Sequence, residues 1–473
     1  MRSRYLLKRE YGQEQPYWRL GMFKIRLPFI HYPLELAEAV QAAIMFVVGM
    51  ATIPLLQTYL GMSFEVALTV TILFMATLLL PALLGAPLAP GFITPAVPLV
   101  VVYLSAYEPG PEAIKAMVAL HIAVAVIFLV LGVTKFASKL ISSIPVSVKG
   151  GILLGAGIAA LMGEIGEGGR FLATPLSIGI GALVIAFVLF SASFRLFCNR
   201  SKLGVMIANY GLVPGLLIAI GVGWAVGEYP LPQIEWGVTS LAINELWQLL
   251  PFTIGWPTLE MFLTAIPVAI ISYVIAYGDI VVGDSVIARA DKARPDEVIE
   301  VDNDRLHVIT GIRNALHALF IPQPGQGGPI FTALTAGIAT RYEFGRRAME
   351  SVYSGVGTFY LIAFFALFAM PLVTLFQPVL PIALSLTLLV TGYLCMVVGM
   401  QQVSNAEQYA VAGVTGVVLA TQGAAWGIAA GIVLHVLVER TSLLRKDRAL
   451  ATEATEATEA TEATAGPARQ PRT

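Results

Sequence analysis

Window after window of this sequence runs for about 20 residues without an Asp, Glu, Lys or Arg, long enough to cross a bilayer as one helix. Inside the hydrocarbon core no water reaches bare amides and carbonyls, so a spanning segment must satisfy its own backbone. Charged residues make up only 12% of the chain and hydrophobic ones 57%, whereas a soluble domain carries about a quarter charged residues. The windows predict an all-α polytopic membrane protein, with the lipid bilayer as its surroundings and no nucleic-acid partner. Cys198 and Cys395 sit in apolar surroundings and read as packing residues, with no metal-ligand spacing around them. The basic N-terminus lacks the short apolar core of a cleaved signal peptide.

Two stretches break the pattern at membrane depth. Residues 90–98 read PGFITPAVP and residues 322–329 read PQPGQGGP. Proline has no amide to donate and glycine weakens a helix, so neither stretch continues one. Irregular backbone survives at that depth only where protein or a water-filled cavity surrounds it. Interrupted segments in corresponding positions of two halves point to a transporter's binding site.

Fourteen segments are expected, as two groups of seven: 35–60, 64–85, 90–107, 113–133, 146–164, 175–194 and 204–226, then 258–288, 305–321, 324–341, 350–370, 379–400, 405–420 and 422–438. The broken segment is third in each group. An odd number of spans per half inverts one half relative to the other, the arrangement of inverted repeats. Basic residues crowd cytoplasmic loops, and they alternate accordingly. Arg2, Arg4, Lys8, Arg9, Arg19, Lys24 and Arg26 precede the first segment. Lys135, Lys139, Arg195, Arg200, Lys202, Arg289, Lys292, Arg294, Arg346 and Arg347 fall in predicted inner loops, while 228–255 has no Lys or Arg. Reading the breaks as re-entrant loops would leave twelve spans and reverse the later loops against this alternation.

The chain therefore divides into a cytoplasmic tail (1–30), a first repeat (31–227), an extracytoplasmic amphipathic connector (228–257), a second repeat (258–440) and a disordered cytoplasmic tail (441–473) of Ala-Thr-Glu repeats. The expected location is the inner (plasma) membrane, multi-pass, with both termini cytoplasmic.

Charges within a span are costly and default to functional hypotheses. The eighth segment carries Asp279 and Asp284, five residues apart and so on different helix faces. Asp279, the deeper, is the candidate ion-coupling group for H⁺ or Na⁺. Asp284, near Arg289, reads rather as structural, although it is kept as a second ion-coupling candidate. Tyr273 and Tyr277, four apart, share a face. At the breaks, half-helix N-termini offer free amides to a negative or strongly polar ligand. Thr94, Ala96, Gln326, Gly327 and Gly328 are candidate solute contacts there, and Gln41 in the first segment is another. His121 reads as a packed histidine and His307 as a loop-edge one. Arg313 and His317 share a face and read as an inner vestibule or interfacial pair. No nucleotide loop, zinc motif or catalytic triad is present in the sequence, so no enzyme activity and no cofactor are expected.

These residues resemble the nucleobase/ascorbate symporter family, the uracil-permease-like proteins. Gln41 and Pro54 lie within QAAIMFVVGMATIP, residues 145–150 read PVSVKG, and Tyr277-Gly278-Asp279 is similar to the family's Gly-Asp ending. The resemblance implies fourteen segments in two inverted repeats, a core and a gate domain, short antiparallel strands at the breaks in segments three and ten, and a homodimer. The family's glutamate four residues before the aspartate is Ile275 here, its glutamate after the second break is missing from residues 328–331, and its first-segment histidine is Ala42. Those glutamates hold a base's N–H groups in the family. The breaks are also similar to those of sulfate-permease-like anion transporters. The expected function is ion-coupled secondary transport of a small polar, anionic solute by alternating access. A nucleobase–proton symporter of the uracil or xanthine type and an uncoupled anion uniporter or channel are the alternatives.

Overall fold

The computed structural model describes residues 6–439 apart from 138, 140–142, 202, 205, 206 and 208–211. Arg2, Arg4, Lys202 and the predicted 441–473 tail lie outside the described residues. The chain is mostly helical. Phe64–Leu84, Pro111–Thr134, Val146–Ala173, Leu259–Ala293 and Met370–Gln402 are long and apolar enough to cross a membrane, and the bent pair Pro175–Phe190 and Ala192–Cys198 makes a sixth if it counts as one span. Shorter apolar helices, among them Thr94–Leu104, Val213–Ala225 and Val352–Ala366, lie between them.

Local chemistry sets many of the ends. The Ser63 side chain accepts from the Val66 amide, Thr258 from Met261, Asp302 from Arg305 and Asn405 from Gln408. Each satisfies an amide that the first turn cannot. Ser351 and Ser354 form a reciprocal capping box before Val352–Ala366. Gly85 closes its helix at φ 97°, a left-handed backbone that glycine takes without penalty.

At the breaks the chain turns to strand. Gly91–Phe92 pairs antiparallel with Gly327–Gly328, Gly91 opposite Gly328 and Phe92 opposite Gly327. The Ile93 amide donates to Gln326 O at 2.9 Å, and the Phe331 amide to Ala89 O at 2.6 Å. Amides that a broken helix would strand at membrane depth are thus paired across the two halves. This is the strand pair that the family resemblance implies.

The helices pack in two sets. In one, Pro111–Thr134 lies against Asn303–Phe320 and Leu259–Ala293, and Leu36–Met50 against Val352–Ala366. In the other, Val146–Ile165 lies against Leu380–Gln402 and Ala406–Gln422. Glycines make that second seam possible. A Cβ on Gly157 would sit 2.7 Å from Gly392 O, and one on Gly150 2.9 Å from Gly399 O, so backbone meets backbone as it does where small residues face in membranes.

Residues 6–30, the described part of the expected tail, pack against the rest of the chain. Trp18–Leu20 and Phe23–Ile25 form a hairpin, and Arg9, Gln15, Arg26 and His31 are buried. Arg9 pairs with Asp296 and with Glu297, each at 2.8 Å, and Lys24 pairs with Glu14 at 2.6 Å and with Glu300. Arg305 donates to Met22 O at 2.9 Å and to Gly85 O at 3.0 Å. This strap ties the N-terminus to the end of Leu259–Ala293 and the start of Asn303–Phe320.

Candidate functional site

The strand pair opens onto a cavity of about 760 Å³. Phe92, Thr94 and Pro95 line it from the first break, Ile330, Phe331 and Thr332 from the second. Val274, Ile275, Tyr277, Gly278, Asp279, Val281 and Val282 of the long Leu259–Ala293 helix form another wall, and Val146, Lys149, Leu153, Leu394, Cys395, Val398 and Gln402 face them from the other helix set. Two of the lining residues carry charge, Asp279 and Lys149, one on each side.

The two half-helix ends are unequal donors. Pro95 and Pro98 have no N–H, and the Ala96 amide is engaged by Ile93 O at 2.9 Å. Thr332–Glu343 starts without proline in its first turn, so its leading amides have no intrahelical partner. The second break therefore offers the stronger positive end to the cavity.

Of the residues singled out from sequence, the structure brings Thr94, Tyr277 and Asp279 together in this cavity. The others lie elsewhere. Tyr273 is buried behind the wall, 3.1 Å from His307 Nε2. Ala96 is fully buried. Gly327 and Gly328 are buried in the strand pair. Gln326 is 1% exposed, and neither polar atom of its side chain has a hydrogen-bond partner among the described residues. Among the described residues the Gln41 amide reaches Met45 Sδ, at 3.4 Å. Asp284 lies in a separate cleft with Asp291, Lys292 and Asn303, and accepts from Asn303 Nδ2 at 2.6 Å.

Arg313 and His317 are neither vestibule nor interface; both are fully buried. Arg313 donates to Gly328 O at 2.6 Å and to Gly91 O at 3.0 Å, one carbonyl from each strand. Asn314 takes both sides of the next residue: its Oδ1 accepts from the Gly327 amide at 2.9 Å and its Nδ2 donates to Gly327 O at 2.8 Å. His121 lies 2.9 Å from Gln323 O and 3.3 Å from Asn314 Oδ1. His307 is buried, not at a loop edge, and is 2.6 Å from Asn303 O. A polar frame thus holds the back of the breaks while their front faces the cavity. Lys149, part of the PVSVKG stretch, escaped the sequence reading. Its signal was a lone base one turn inside a helix whose only other charge is Glu164, near the far end.

Helices broken to strand at membrane depth, facing a cavity with an acid and a base, are the kind of site that membrane transporters build. The Permease family model (Xan_ur_permease), that of the nucleobase/ascorbate permeases, matches residues 35–300, and the chain belongs to that family. It is a membrane transporter and not an enzyme. Among curated proteins none matches. Solved structures that it is similar to include the transmembrane domain of the cyanobacterial bicarbonate transporter BicA, at 16% identity and TM-score 0.49, covering 84% of this chain and 96% of that one. Another is SLC26A9, at 14% identity and TM-score 0.47, covering 85% and 64%. A third is the murine Solute Carrier 26 family member A9 anion transporter in the inward-facing state, at 15% identity and TM-score 0.46, covering 86% and 68%.

Proposed function

We propose that the protein moves a small anionic solute across the inner membrane by alternating access, driven by H⁺ or Na⁺ bound at Asp279. Fourteen segments in two inverted repeats supply the machinery in this reading, with the two helix sets as core and gate. The observation that carries it is the cavity's makeup: one acid, one base, and the amide-rich start of Thr332–Glu343 at a single void. Backbone amides and the helix dipole stabilise a negative group there. Asp279, on the same wall as Tyr277, offers oxygen to a hard cation or takes up a proton. Filling both positions joins the movement of solute and ion.

Purified protein in sealed vesicles tests this. Asp279→Asn is expected to abolish uptake driven by a pH or Na⁺ gradient while leaving the fold intact by size exclusion. Full uptake with unchanged ion dependence would sink the coupling role. Flux that ignores both gradients in the unaltered protein would favour an uncoupled uniporter.

A nucleobase is the second reading, favoured by the family and by the rings of Phe92, Tyr277 and Phe331 at the cavity. Against it, Ile275, Ile330 and Phe331 line the cavity where the family's glutamates would be expected. A base's N–H groups meet hydrocarbon there and would lose their water without replacement.

A further inference from the structure

We infer that Lys149 is the anion-holding charge of this cavity and that the solute is a monoanion with an apolar body. The inference deepens the anion-transport reading above and rests on it. Val146, Lys149 and Leu153 fall at positions i, i+3 and i+7 of Val146–Ile165, so they share one helix face, and all three line the cavity. The other faces are taken: Gly150, Gly151, Gly155 and Gly157 are pressed against the neighbouring helices. Lys149 is half-buried, and among the described residues no carboxylate stands within salt-bridge distance of it. An ammonium in such a setting is stabilised by an anion brought to it.

The rest of the lining decides what kind of anion. Val146, Leu153, Ile275, Ile330, Phe331 and Val398 present hydrocarbon around the two charges. A compact dianion would exchange its water for these walls with a single base in reach, at a high desolvation cost. A carboxylate or sulfonate on an apolar body places its charge at Lys149 and its carbon skeleton on the walls, where burial is favourable. Lys149 and Asp279 come from opposite helix sets, so such a solute spans the gap that closes in transport.

The test uses the full chain, purified, with benzoate, butyrate, acetate, sulfate and uracil as probes, read by ligand-induced rise in Tm and by titration. Expected is a rise that falls in the order benzoate, butyrate, acetate, sulfate. Lys149→Gln is expected to weaken benzoate binding about tenfold or more, the loss of a charge-assisted contact. Lys149→Arg keeps the charge and should retain most of the binding, which separates lost charge from lost packing. Benzoate binding unchanged in Lys149→Gln would overturn the inference and mean that the lysine merely snorkels toward water. Sulfate binding tighter than benzoate, or no rise with any carboxylate, overturns it too. If sulfate binds equally to the unaltered protein and to Lys149→Gln, the anion-transport reading survives without this refinement. A rise with uracil alone would end both.

Discussion

Arg313 does at the level of one side chain what the two halves cannot do alone. Its planar guanidinium reaches Gly328 O and Gly91 O at once, and among the described residues no carboxylate balances it. Arg313→Gln is expected to remove the charged donor from at least one of these strand carbonyls. A hydrogen bond to a charged group contributes about 1.5–3 kcal/mol, so Tm and uptake should both fall. Arg313→Lys should not restore them, because a single ammonium lacks the fork that spans two acceptors; a full rescue by lysine would show that charge alone matters. The sequence revealed a costly charge within a span but not its task. Arg313 and His317 at i, i+4 spacing fit a vestibule as well as a clamp, since their partners lie on other segments. The place of Asp279 at the cavity was legible because a carboxylate deep in an apolar window has few ordinary uses. The burial of Gln326 was not legible: exposure of an amide beside glycines cannot be judged until the strand that covers it is known.

Elements were easier to read than their contacts. The expected eighth segment, 258–288, appears as Leu259–Ala293. Hydropathy registers where the membrane ends, whereas a helix ends where its cap is, so charged Arg289 and Lys292 continue the same helix into water. The breaks were legible from proline and glycine, but the register of Gly91 against Gly328 was not, because pairing across halves leaves no local signature. The glycine seam of Val146–Ile165 likewise reads in sequence only as small residues. Gly157→Val should part that helix from Leu380–Gln402, since even a Cβ there would sit 2.7 Å from the Gly392 carbonyl. Gly163 on the same helix has open space around it. Gly163→Ala is therefore the control, expected to be neutral or to stabilise by up to about 1 kcal/mol through helix propensity. Thermal unfolding of both variants checks this; equal losses would deny the seam its role.

At the scale of the molecule, the N-terminal strap is the part that sequence reasoning missed. A run of basic residues before the first span satisfies the positive-inside rule and gives no hint of its acidic partners at 296–300. Asp296 is hydrogen-bonded by Arg294 at 2.7–2.8 Å and paired with Arg9, and these guanidiniums hold its carboxyl down at about 2. A depressed carboxyl stabilises the fold above its unfolded value of about 4, and that stability disappears as pH falls toward the folded value. The strap should therefore hold at neutral pH and loosen between about pH 4 and 2. Pepsin cleavage within residues 9–30, followed against pH, reads this directly. Asp296→Asn should admit the protease at higher pH than the unaltered chain, and identical profiles would remove Asp296 from the strap.

The strand pair also bears on how the protein is made. Ala89 and Thr335, joined by the amide-to-hydroxyl bond at the breaks, are 246 residues apart. At about 5–20 residues per second a ribosome needs roughly ten to fifty seconds to cover that distance. For that interval the first break has no partner strand, while bare backbone at bilayer depth is tolerated only under cover. The nascent first half must wait near water, or under the shelter of the insertion machinery, until its mate emerges. A chain cut short before the second break would therefore leave the first break without the strand it pairs with and could not complete the cavity.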